Sequence, residues 1–87
     1  MSTTSTSRAQ LQAWLAERVA ALLDRPPSEI AVEAELGDHG LDSVRAAALV
    51  AEIEDRWDLV LDPAVTWEHP SVAALASHLA ELGATPR

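Results

Sequence analysis

The chain has 87 residues, room for one domain and too few for a roomy enclosed active site. It contains no cysteine, which removes disulfides, thiolate metal ligands and cysteine nucleophiles and makes the cytoplasm the default compartment. Fourteen acidic residues against six basic ones, all arginine, give a net charge of −8 that repels nucleic-acid phosphates and anionic membranes and suits basic patches on other proteins.

No apolar run approaches the roughly 20 residues of a membrane span, and the opening "MSTTSTS" lacks the basic start and apolar stretch of a signal peptide. Residues 1–7 read as a flexible Ser/Thr-rich tail and 83–87, "GATPR", as a second one, leaving a folded domain over 8–82. Within it the apolar residues recur at helical spacing in three places.

The first helix is predicted from about Arg8 to Leu23, with Leu11, Leu15, Val19 and Leu22 on one stripe and Gln12, Glu17 and Arg18 off it. Ser7 and Gln10 form a capping-box pair at its start, and Pro26 and Pro27 are expected to stop it. The connection "DRPPSEIAVEAELGDHGL" is longer than the usual interhelical loop. Ile30, Val32 and Leu36 give it something to bury, so it is expected to be ordered against the core.

The second helix, from about Ser43 to Trp57, carries two apolar faces. At about 100° per residue, Ala46, Leu49, Val50, Ile53 and Trp57 gather on the core side, while Val44, Ala47, Ala48 and Ala51 look outward with Asp55 a turn further on. Alanine is a good helix former anywhere, so the outer face need mean nothing by itself. Its position beside Ser43 is what makes it a candidate docking surface.

Beyond Trp57, Leu59 and Leu61 are spaced as in an extended connector with alternate side chains inward. Asp62 and Pro63 are placed to open a short third helix, which Pro70 ends. Ser71 caps a last helix running to about Leu82, with Val72, Leu75, Leu79 and Leu82 on one stripe and Gly83 as its stop. The predicted fold is an all-α, small four-helix bundle of three longer helices and one short helix.

With these elements in place, "LGDHGLDSVRAAALVAEIEDRW" followed by "LDPAVTWEHPSVAALASHLAEL" resembles the acyl carrier proteins, most of all those of modular polyketide synthases. The likeness covers about Ala9 to Leu82, and its sharpest element is Gly40-Leu41-Asp42-Ser43 opening a helix. The resemblance implies that Ser43 is the attachment site of 4′-phosphopantetheine, transferred from coenzyme A by a phosphopantetheinyl transferase, and that acyl groups ride on its terminal thiol as thioesters. It further implies a recognition role for Asp42, with capping of the helix as the alternative, and a carrier with no catalytic activity of its own that serves an acyltransferase, ketosynthase or acyl/aminoacyl ligase. The expected state is a monomeric cytoplasmic carrier without a metal, and Met1 suggests a free-standing one, such as a starter-unit carrier.

The chain departs from the family in having Val44 where leucine is common, Asp62-Pro63 where Leu-Pro is common, and few carboxylates at the front of the second helix. Docking is therefore expected to lean on apolar contact through Val44, Ala47, Ala48 and Ala51, edged by Glu52, Asp55 and Arg45, the last a candidate to pair with an acidic residue of the partner. Asp38 and His39 lie in the loop before Ser43 and are candidates to help present that end of the helix, although His39 reads more readily as a solvated loop residue.

Three other readings compete. A peptidyl or aryl carrier of a nonribosomal peptide assembly line would show much the same pattern, although the Asp-Ser pair favours the polyketide type. An unmodified helical docking module would share the fold without the arm. A hydrolase built from Ser43, His39 and Asp42 has the residue types of a triad, but "HGLDSV" is not the nucleophile elbow such chemistry uses. His39, His69 and His78 lack the close pairing of zinc ligands, and "DHGLDS" does not follow a calcium loop.

Overall fold

Ser7 Oγ accepts the N–H of Gln10 and Gln10 Oε1 accepts the N–H of Ser7, both at 3.2 Å, so the predicted capping box opens the first helix of the computed structural model. The structure describes residues 6–87; residues 1–5, most of the predicted N-terminal tail, lie outside the described residues. Four α-helices follow in order: α1 (Arg8–Leu23), α2 (Ser43–Arg56), α3 (Val65–Glu68) and α4 (Val72–Glu81). Single 3₁₀ turns at Pro27–Glu29 and Leu36–His39 shape the loop between α1 and α2.

α1 stops before its prolines. Asp24 takes a left-handed conformation, φ 56°, and the Arg25 N–H returns to Ala20 O at 2.9 Å, closing the helix end. Aspartate tolerates this conformation better than most residues because its short polar side chain can bond locally. Pro26 then carries the chain away in an extended conformation, so the prolines prevent continuation and Asp24 makes the stop.

The core is assembled from the predicted stripes. Leu11, Leu15 and Val19 of α1 meet Leu49 and Ile53 of α2 and Val72, Leu75 and Leu79 of α4, all fully buried, with Val65 of α3 closing one side. α1 packs mainly on α4, and α2 bridges α1 to α3. Burying a side chain of this size contributes roughly 1.5–3 kcal/mol, so these eight or nine residues dominate the favourable side of folding. Trp14 meets Trp57 edge to face at 5.6 Å between centroids, and the Arg56 guanidinium lies 4.3 Å from the Trp57 ring centroid.

The long loop is ordered, as Ile30 and Leu36 indicate, since both are buried. It is also stitched to the α3–α4 junction. The Leu36 N–H donates to Pro70 O at 2.7 Å and Val32 O accepts the Ala73 N–H at 2.8 Å. The connector after α2 alternates as expected, with Leu61 buried, Leu59 half-buried and Val60 91% exposed. Glu54 Oε2 fixes it by accepting the Leu61 N–H at 2.7 Å.

Three details differ from the sequence reading. Regular α3 begins at Val65, because Asp62 Oδ1 accepts the Ala64 N–H at 2.7 Å and makes a turn of Pro63 and Ala64 before the helix proper. Leu82, the cap residue at the end of α4, is half exposed although its N–H still donates to His78 O at 3.0 Å. The segment 83–87, read as a loose tail, is held. Gly83, φ 76°, reverses the chain and Ala84 is fully buried. Ala84 O accepts the Thr6 N–H and Thr85 O the Asp58 N–H, each at 2.8 Å, and the Arg87 N–H reaches Arg56 O at 3.1 Å. Among the described residues no helix is long and apolar enough to cross a membrane.

Candidate functional site

The N-terminus of α2 is built by one aspartate. Gly40, φ 101°, turns the chain out of the 3₁₀ segment, a backbone position that a side chain would strain. Asp42 then stands as the N-cap, its Oδ1 accepting the Arg45 N–H at 2.8 Å and its carbonyl accepting the Ala46 N–H at 2.8 Å. Its other carboxylate oxygen takes Arg45 Nη1 at 2.9 Å. The Arg45 backbone N–H, helped by the guanidinium beside it, holds the Asp42 carboxyl below its ordinary range.

Ser43 follows as the first residue of the helix and is exposed. It sits where unpaired N–H groups and the positive end of the helix dipole favour an anion. It also lies on the wall of a groove of 340 Å³ between α2 and α3, whose floor and sides include Ala47, Val50, Ala51, Thr66 and Trp67. A second groove, of 310 Å³, shares Ala46, Thr66 and Trp67 with the first and runs past Asp42 toward Leu36. Trp67 thus borders both, with 76% of its surface exposed.

The expected docking residues do not share a single face. Val44, 77% exposed, and Asp55 point outward, and Ala47 and Ala51 lie on the shoulder that slopes into the groove. Ala48 is half-buried. Arg45 and Glu52 fall on the opposite shoulder, about 80–100° round the helix from Val44, and are taken by α1. Arg45 Nε donates to Leu22 O at 3.1 Å, and Arg18 Nε pairs with Glu52 Oε1 at 2.6 Å. Arg45 therefore has an internal partner in place of the external acidic one the sequence suggests.

His39 is the clearest correction. It is buried, only 9% exposed, and its Nε2 accepts the Ala31 N–H at 3.1 Å. The 3₁₀ turn rolls the ring inward where composition alone placed it in solvent, while Asp38 remains exposed. With Nε2 so engaged, His39 is not a base for Ser43, and the triad arrangement is absent. His69 and His78 stack on each other at 4.0 Å, away from any such role.

Trp67 carries an indirect sequence signal. A single turn of helix has one inward side, and Val65 and Thr66, both buried, fill it. The third residue, Trp67, has only outward directions left.

Residues 13–79 match the family model described as "Phosphopantetheine attachment site". Similar curated proteins include 6-methylsalicylic acid synthase of Penicillium patulum, 34% identical over 80 residues that make up 87% of this chain and 4% of that protein. The 5-methyl-1-naphthoate synthase of Streptomyces sahachiroi is 38% identical over 64 residues, 74% of this chain and again 4% of the relative. The chain therefore spans a small fraction of the length of these synthases. Among solved structures, a free-standing peptidyl carrier protein from Acinetobacter baumannii superposes with a TM-score of 0.85 at 29% identity, over 87% of this chain and 95% of that one.

Proposed function

Because the chain belongs to the phosphopantetheine attachment-site family, carrier domains that take a covalent 4′-phosphopantetheine, we propose that Ser43 receives that arm and that the protein presents acyl thioesters to polyketide-forming enzymes. The carrying observation is the setting of Ser43: an exposed hydroxyl at the first position of α2, at the edge of a groove, with no base engaged to it.

The residues fit the group. A phosphodiester at the start of a 14-residue helix lies in the favourable field of its N-terminus. Asp42 would oppose it, but both carboxylate oxygens are turned to Arg45, so its charge is partly answered before a phosphate arrives. When bound, the arm supplies the thiol that this cysteine-free chain lacks. Catalysis then belongs to the partners: a phosphopantetheinyl transferase that reads Asp42 and Ser43, and an acyltransferase, ketosynthase or ligase that loads and takes the cargo. Val44 and Trp67 flank the attachment point and form the apolar part of the docking surface, with Ala47 and Ala51 between them and Asp55 at the rim.

A free-standing carrier that hands over a starter unit is the more specific form of this proposal; the free-standing state named for the Acinetobacter carrier supports it by analogy only. The same likeness supports a second reading, in which the arm carries an aminoacyl group as in peptide assembly.

Intact-mass analysis tests the proposal. Incubation with coenzyme A and a broad-range phosphopantetheinyl transferase is expected to add one phosphopantetheinyl group, and Ser43→Ala to abolish it. An unchanged mass in the native protein, as an unmodified docking module would give, overturns it. Loading the modified protein with a panel of acyl and aminoacyl ligases separates the two readings of the cargo.

A further inference from the structure

We propose that His39 is the positioning residue for Ser43. The loop from Asp24 to Leu41 must deliver the chain to the start of α2 in one register, and its middle is tied to α4 and Pro70 rather than to α2. Its last part closes on itself through the Leu41 N–H to Leu36 O at 3.1 Å, and a second tie, the buried imidazole whose Nε2 accepts the N–H of Ala31 eight residues earlier, joins that part to the start of the loop. His39 is followed at once by Gly40 in the left-handed turn, then by Leu41, the Asp42 cap and Ser43. The His39 ring therefore acts beside the Leu41–Leu36 bond and the Arg45 tie to Leu22 in setting where the serine emerges.

The chemistry of the ring supports a positional role. To accept from Ala31, Nε2 must be without a proton, so in the neutral ring the proton resides on Nδ1. Nδ1 is itself buried and has no hydrogen-bond partner among the described residues. An unsatisfied buried donor is costly, and an apolar side chain would fill the same space without that cost. The residue is better explained by the acceptor it offers to Ala31 than by its contribution to the core. A loop without the Ala31 tie would have to be ordered more fully by the transferase as it binds, which weakens apparent affinity in proportion to the fraction of ordered molecules and leaves the chemical step alone.

This rests on Ser43 being the attachment point, and the experiment separates the two claims. In the native protein, nitrogen NMR of the imidazole is expected to show a protonated Nδ1 and a bare Nε2; the opposite tautomer overturns the assignment without any variant. His39→Leu is expected to raise the KM of arm transfer about tenfold with kcat within about twofold, and to speed hydrogen exchange at the Ala31 amide by a similar factor. His39→Gln, whose side-chain oxygen reaches about as far as Nε2, is expected to recover most of both. Native KM and exchange in His39→Leu, or equal defects in the two variants at intact far-UV circular dichroism, overturn the proposal. If Ser43→Ala still accepts the arm, the attachment reading fails, and the tautomer and the Ala31 exchange still decide the role of His39.

Discussion

Arg45 Nε donates to the carbonyl of Leu22 at 3.1 Å, so one side chain joins the last turn of α1 to the first turn of α2. The same guanidinium holds Asp42, the cap of the helix that starts with Ser43. A cation near the end of α1 also opposes the partial negative charge of its free carbonyls. Arg45→Ala is expected to lower the melting temperature by about 3–6 °C, because a partly exposed tie of this kind is worth about 1 kcal/mol or less. Thermal unfolding followed by circular dichroism checks it, and an unchanged transition would show that the bond is made no more often than a surface contact.

Asp42 caps α2, and a conservative substitution separates that role from the recognition proposed for it. Asparagine caps helices as well as aspartate does, so Asp42→Asn should keep α2 intact while slowing uptake of the arm if the transferase reads the charge. The pH dependence follows from the lowered pKa. A carboxyl held below its usual 3.8 stabilises the fold fully above that pH and loses the contribution as the pH falls through its lower folded-state value. The melting temperature of the native protein should therefore fall more steeply than that of Asp42→Asn in acid below about pH 4, and the two curves should run parallel above about pH 5. Parallel curves throughout would refute the charge-based contribution.

Trp67 contributes little to the fold from its exposed position, so Trp67→Ala should leave stability within about 0.5 kcal/mol. Aromatic anchors often carry a large share of interface energy, and acyl transfer to a partner enzyme should lose about tenfold in kcat/KM. Val44→Asp should impair the same reaction while keeping the helical spectrum. Acrylamide quenching offers a direct check of exposure: Trp67 is open, Trp14 half-buried and Trp57 buried, and the strongly quenched component of the fluorescence should vanish in Trp67→Ala.

Deleting residues 84–87 removes the buried Ala84 and the backbone bonds that Thr6, Asp58 and Arg56 make with this segment. The expected loss is about 2–3 kcal/mol, read as a lower denaturant midpoint with little change in slope. A midpoint equal to that of the intact chain would mean that the segment rides on the fold without supporting it.

What the sequence makes plain here is whatever repeats or is local. Leu11, Leu15 and Val19 advertise a buried stripe by spacing alone, and Ser7 with Gln10, or Asp42 before Ser43, advertise helix starts through bonds made three residues apart. His39 and Ala84 carried no such signal. Their burial depends on backbone turns at Leu36–His39 and at Gly83 that aim a single residue inward, which no periodic pattern records. The internal partners of Arg45 and Glu52 were equally hidden, because Leu22 and Arg18 lie 23 and 34 residues away along the chain. Ser43 could be singled out because its signal was both local and matched by the segments that follow.

The bond from the Thr6 N–H to Ala84 O, at 2.8 Å, brings the entry and exit of the described polypeptide side by side, next to the end of α2 where Asp58 meets Thr85. Ser43 stands at the other end of that helix, about 20 Å away by its rise per residue. A flanking polypeptide fused at either side would leave from the hinge of a pendulum whose working tip swings clear of it, and the unit could be hung within a longer assembly or left on its own with the same reach.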